Sequence, residues 1–299
     1  MLTSGRSGLI AITVVYVVAI AIGVVVFSAL PGLHVFWRLL VGDVAATLVV
    51  YAAGVVLRNT SVYDPYWSVA PIVVLTGLAL TEGGVDAAGV LLLLAVWYWG
   101  VRLTLNWAHT FTSLAAQDWR YDKFKRQFPR AYQLVSLAGI NLFPTAVVFG
   151  CLLPAVVLLQ EGGWGVLTAV GFLVCLGATT LQLVADRQMH RFRAANAGSG
   201  RLIRTGVWRH SRHPNYLGEI LMWWGVYLMM LPAAPRLWFL AVGPLVNTLM
   251  FVIVSIPLAD RRNRAVREGF DEYVRETNGL LPFPLKARGA RAARVDAVP

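Results

Sequence analysis

The strongest constraint on this chain is a succession of apolar stretches, each close to the length that crosses a bilayer. They run near residues 9–30, 36–57, 62–82, 86–108, 137–160, 164–186, 216–231 and 236–258. Hydrocarbon about 30 Å thick needs about 20 apolar residues in a helix. A helix satisfies its own backbone polar groups, so several such stretches in series predict an all-α fold. The expected architecture is a polytopic transmembrane helix bundle of seven or eight spans. The third and seventh stretches are short, so they read as tilted, re-entrant or buried in protein. Composition agrees: 58% of residues are hydrophobic and 14% charged, against about 25% charged in soluble domains.

The net charge of +11 is confined to a few connections. Segment 109–136 carries Arg120, Lys123, Lys125, Arg126 and Arg130, and segment 187–215 carries seven arginines. The third basic segment follows residue 258. The alternate connections, near 83–85, 160–163 and 232–235, are short and acidic or uncharged. By the positive-inside rule the basic segments and the C-terminus are expected to be cytoplasmic. The charge is therefore topological, and no nucleic-acid partner is expected. Cys151 and Cys175 fall inside apolar spans and suggest inert thiols, not a disulfide framework. The first apolar run exceeds the core of a signal peptide, so a retained helix is expected. Three regions follow: N-terminal helices over 1–57, a main membrane domain over 58–284, and a disordered basic tail over 285–299.

Polar residues at helix ends carry the candidate chemistry. Arg209-His210-Ser211-Arg212-His213-Pro214-Asn215-Tyr216-Leu217-Gly218-Glu219 runs directly into an apolar helix. Pro214 suits a first helical turn, and Asn215 and Glu219, four apart, share a face. Capping and headgroup contact explain the basic residues here but not an inward Glu219. Upstream, Gln182, Asp186, His190 and Arg193 share one face of a helix leaving the sixth span. They read either as a solvated helix end or as a ligand-holding face. Asp260-Arg261-Arg262-Asn263-Arg264, followed by Tyr273, reads either as a membrane anchor or as a phosphate site, since arginine forks match phosphate. Asp64 opens the third span after Tyr63, where capping is the alternative to chemistry. Tyr98 and Arg102 lie in the fourth, where an interfacial aromatic belt is the alternative for Tyr98. There is no complete GxGxxG and no Walker A motif. His210 and His213 have metal-like spacing, but arginines interleave with them, so no metal is expected.

The Arg-His-Pro-Asn-Tyr-Leu-Gly-Glu run resembles the C-terminal signature of steroid 5α-reductase-like membrane proteins, over roughly residues 58–284. The bacterial branch of that family, first described as a domain of unknown function, also resembles this chain at Asp118-Trp119-Arg120-Tyr121. Related signatures occur in sterol C14-reductases and isoprenylcysteine methyltransferases. The resemblance implies a cytoplasmic NADPH site built from Gln182, Asp186, Arg193, Arg201, His213, Asn215, Tyr216, Glu219, Arg261 and Arg262, with Arg102 from another helix. It further implies that Asp64 and Tyr98 hold the keto oxygen of a lipophilic steroid or isoprenoid enone while hydride reaches the β-carbon. Where the animal enzymes carry a Gln-Glu pair, this chain has Tyr63-Asp64. The expected location is a bacterial inner membrane, with lipid as surroundings. Two alternatives remain: an S-adenosylmethionine-dependent isoprenylcysteine-type methyltransferase, and a non-enzymatic lipid-binding protein.

Overall fold

Every regular element among the described residues is helical, because each apolar stretch closes its backbone hydrogen bonds within itself. The computed structural model describes residues 5–81 and 84–283, so the basic tail over 285–299 lies outside the described residues. Among the described residues, six helices are long and apolar enough to cross a membrane. They are α1 (Gly5–Ser28), α2 (Val35–Val56), α4 (Ala87–Thr110), and the continuous helices Tyr132–Glu161, Val166–Ala195 and Pro235–Val266. The other two expected spans form shorter helices. The helix α3 (Tyr66–Thr81) has 16 residues and α9 (Pro214–Met230) has 17, or about 24–26 Å at 1.5 Å per residue. The third element starts later than its apolar run because Thr60–Tyr63 is a 3-10 turn. Asp64 therefore lies in the connection between α2 and α3, outside any span.

Two of the long helices are interrupted by π-turns. Within Tyr132–Glu161, α6 (Tyr132–Val135) leads through a π-turn, Ser136–Leu142, into α7 (Phe143–Glu161). The Asn141 side-chain amide also donates to the Ser136 carbonyl, at 2.8 Å, across this turn. Within Pro235–Val266, a 3-10 segment leads to α10 (Val242–Leu249). A second π-turn, Met250–Ser255, then precedes α11 (Ile256–Val266). The short α5 (Trp119–Gln127) and α12 (Phe270–Glu276) lie in the two basic segments. The sixth span is α8 (Val166–Ala195), 30 residues long, with a polar last third.

The chain divides into two units. Residues up to Phe172 together with Val226–Pro244 form unit 1; Leu173–Gly225 and the chain from Leu245 form unit 2. In unit 1, α1 and α2 cross where two glycines face each other. A Cβ on Gly42 would come within 2.9 Å of the Gly23 carbonyl, and one on Gly23 within 3.0 Å of the Gly42 carbonyl. Without a hydrophobic drive between helices in lipid, such close backbone approach is what brings them together.

Candidate functional site

Unit 2 gathers most of the residues that sequence marks for a cofactor. On α8, Gln182 is 2% exposed, and on α9, Glu219 is 5% exposed. The Gln182 amide donates to Glu219 Oε2 at 3.3 Å, and the Trp223 indole donates to Oε1 at 3.0 Å. Glu219 thus points inward, as its spacing from the helix head predicts. Gly218 permits this, since a Cβ there would meet Gln182 Cγ at 2.4 Å and the Ala178 carbonyl at 2.6 Å. Asn215, one turn earlier on the same face, is half-buried and its side chain has no hydrogen bond among the described residues. Its amide is a donor and acceptor pair still to be used.

His213 and Arg212 share one acceptor, Asp260. His213 Nε2 bonds Asp260 Oδ1 at 2.8 Å, and Arg212 Nη2 bonds Oδ2 at 2.7 Å. Arg212 Nη1 also donates to the Thr277 carbonyl at 2.5 Å. The His213 ring stacks on Tyr216, centroids 5.1 Å apart, and Tyr216 packs against Phe251 at 4.9 Å. These contacts tie the head of α9 to α11 and to the segment after α12. They fix the orientation in which Asn215 and Glu219 are presented. Tyr273 is likewise occupied: it is 4% exposed and its hydroxyl donates to the Trp208 carbonyl.

The exit of α8 completes the cluster. Arg193 lies within electrostatic reach of Arg262, Arg267 and Asp186, three guanidiniums to one carboxylate. Arg267 also donates to the Arg201 carbonyl at 3.3 Å. Arg193, Arg201, Arg261 and Arg262 are exposed. An excess of positive charge held together in this way fits a polyphosphate, which would relieve the repulsion. Arg102, for which the resemblance also implies a cofactor role, is buried in α4.

Unit 1 holds Asp64 and Tyr98, the residues expected to bind the keto oxygen. Ser68 and Thr104 hydroxyls meet at 2.8 Å, and the Trp97 indole donates to Thr76 at 3.0 Å, which sets the antiparallel register of α3 on α4. Tyr98 is then level with the middle of α3, about 15 Å along the axis from Asp64. The partner of Asp64 is Tyr121, whose hydroxyl donates to Oδ1 at 2.5 Å. Tyr121 comes from the Asp118-Trp119-Arg120-Tyr121 segment. That segment is placed by the Asp118 N–H, which donates to Ser61 Oγ at 2.9 Å, and by the Arg120–Asp118 pair at 2.8 Å. Burial pushes the Asp64 carboxyl up to about 6, against the opposing pull of the Tyr121 hydroxyl and the Arg120 guanidinium. The Asp64 carboxylate accepts from Tyr121 and also interacts with the Ser61 hydroxyl.

Further polar residues of unit 1 escaped the sequence reading. Tyr66 donates to Asp43 Oδ1 at 2.7 Å. The Tyr63 hydroxyl meets Thr145 at 2.8 Å, and Thr145 meets Thr47 at 3.0 Å. Asp43 sits inside α2, and a carboxylate within a span is itself a functional signal that could have found this group. Tyr121 left no such trace, because nothing in the spacing of residues 64 and 121 shows that they meet. Among the described residues, no group of three or more His, Cys, Asp or Glu could hold a metal.

A curated protein of Schizosaccharomyces pombe, described as uncharacterized, is 24% identical over 206 residues, covering 60% of this chain and 60% of the relative. The chain thus spans about three fifths of that relative's length. No solved structure matches the chain. The family model described as "Protein of unknown function (DUF1295)" matches residues 50–277, three quarters of the chain, and the protein belongs to that family.

Proposed function

We propose that this protein is a membrane reductase that uses NADPH to saturate an activated C=C bond in a lipophilic enone, of the steroid 5α-reductase type. The observation that carries the reading is the conjunction in unit 2. An inward Glu219, held by Gln182 and Trp223, shares a helix face with an unused Asn215 amide, and Arg193, Arg262 and Arg267 cluster within the same unit. An amide and a carboxylate together satisfy a nicotinamide carboxamide. The arginines suit the phosphates, and a 2′-phosphate favours NADPH over NADH. Bound there, NADPH supplies hydride.

The acid belongs to unit 1. Asp64, with its affinity for a proton raised by burial, is neutral in part of the population near pH 6. With Tyr121 donating to Oδ1, we assign that proton to Oδ2. A neutral carboxyl can hydrogen-bond the keto oxygen of an enone, drawing charge from the β-carbon. Such a donor at a developing oxyanion contributes on the order of a hundredfold in rate. The substrate class, a steroid or isoprenoid enone, follows from the membrane setting and the resemblance of the signature.

Mass spectrometry on membranes holding the full chain tests this. With NADPH and a panel of 4-en-3-oxosteroids and isoprenoid enones, a product two mass units heavier is expected. Asp64→Asn should lower kcat by about a hundredfold and leave NADPH affinity unchanged. Equal kcat in the two proteins would remove Asp64 from the chemistry.

A further inference from the structure

The end of α2 adopts a conformation that its residue does not suit. Arg58 has φ of +55°, in the left-handed region. The Leu57 N–H bonds the Ala53 carbonyl, and the Asn59 N–H reaches back to the Gly54 carbonyl at 2.9 Å. This is a Schellman closure, whose left-handed position is normally glycine because a Cβ crowds there. An arginine at that place needs a reason outside the helix end.

Its guanidinium lies at a cavity of about 80 Å³ contained within unit 1. Lys125 of α5 lines the same cavity, and both cations are exposed. The wall between them is neutral and rich in donors. Thr60 Oγ1 meets the Tyr132 hydroxyl at 2.8 Å and Ser136 Oγ at 3.4 Å. Gln117 accepts from the Thr60 N–H at 2.8 Å. No carboxylate lines the cavity among the described residues; Asp122 stands behind its wall, accepting from Gln117 Nε2 at 2.8 Å and within electrostatic reach of Tyr132. The wall is held in place, since Asn59 Nδ2 donates to the Leu114 and Ala116 carbonyls at 2.8 and 2.9 Å. The volume accommodates several waters or one tetrahedral anion. Beside it, Val56 at the end of α2 is 80% exposed and Leu134 of α6 68% exposed.

We propose that this cavity binds a phosphate group, with the Arg58 fork and the Lys125 ammonium as counter-charges. The phosphate belongs either to the headgroup of an anionic phospholipid or to a free anion. The exposed apolar residues beside the cavity favour the headgroup, because acyl chains can lie along them.

Arg58→Gly separates this site from the fold, since glycine relieves the left-handed backbone while the guanidinium is lost. Thermal unfolding of the purified full chain in mild detergent would be followed against three probes at matched ionic strength. These are a short-chain phosphatidylglycerol, a short-chain phosphatidylcholine and inorganic phosphate. Phosphatidylglycerol should raise Tm more than phosphatidylcholine. Its apparent Kd should weaken at least tenfold in Arg58→Gly with Lys125→Gln, whose ligand-free Tm should not fall. Equal stabilisation by inorganic phosphate, abolished by the same substitutions, would assign the site to a free anion. No stabilisation by either anion, or stabilisation untouched by the double substitution, would overturn the proposal.

Discussion

Replacing Asp64 by asparagine should change how stability depends on pH. Asparagine keeps the acceptor for Tyr121 but cannot ionise. In the folded chain, burial raises the Asp64 carboxyl to about 6, whereas an aspartate in the unfolded chain titrates near 3.9. The folded state holds the proton more tightly. This contribution is therefore complete below pH ~4 and is lost as pH rises through about 6. Two pKa units correspond to about 3 kcal/mol, and about half of that is lost between pH 5 and 8. For a chain of this size the wild type should lose a few °C in Tm over that range relative to Asp64→Asn, at roughly 2–4 °C per kcal/mol. Thermal unfolding of both proteins in the same detergent at pH 5, 6, 7 and 8 would show it. Parallel pH profiles would refute the argument, because they would mean that Asp64 titrates alike in the folded and unfolded chains.

Other expectations follow from the same contacts. Gly218→Val should destabilise the protein by about 1–3 kcal/mol through overpacking against Gln182 and Ala178; a denaturation midpoint equal to wild type would contradict that close approach. Asp260→Ala strips both His213 and Arg212 of their shared acceptor, and should cost about 3 kcal/mol. NADPH affinity should fall with it, because the head of α9 loses its orientation; unaltered affinity would leave His213 with only a packing role. Glu219→Ala should weaken NADPH binding, measured by fluorescence titration, with little loss of enone affinity. The reverse pattern would move Glu219 to the substrate.

Much of this architecture is legible in the sequence, because the length of an apolar run is itself a physical requirement of the bilayer. The runs near 9–30, 86–108 and 164–186 all became long helices. The shorter ones near 62–82 and 216–231 became α3 and α9, at 16 and 17 residues. Helical spacing also predicts that Glu219 turns inward from Asn215, since three or four residues fix a face. What spacing cannot show is register between helices. The contacts of Ser68 with Thr104 and Trp97 with Thr76 set the register of α3 on α4. Tyr121 reaches Asp64 through a loop fold that no periodicity encodes. The π-turn at Ser136–Leu142 is similarly invisible, because residues 132–161 read as one uninterrupted helical stretch.

The most direct test of the central claim is equilibrium binding to the purified full chain, with NADPH, NADH and S-adenosylmethionine compared side by side. The account predicts that NADPH binds, that NADH binds at least tenfold more weakly, and that Arg193→Ser with Arg262→Ser removes that preference. Binding of S-adenosylmethionine in place of NADPH would contradict it and assign Glu219 and Asn215 to methyl transfer, whereas binding of none of the three would leave the arginine cluster without a cofactor to hold.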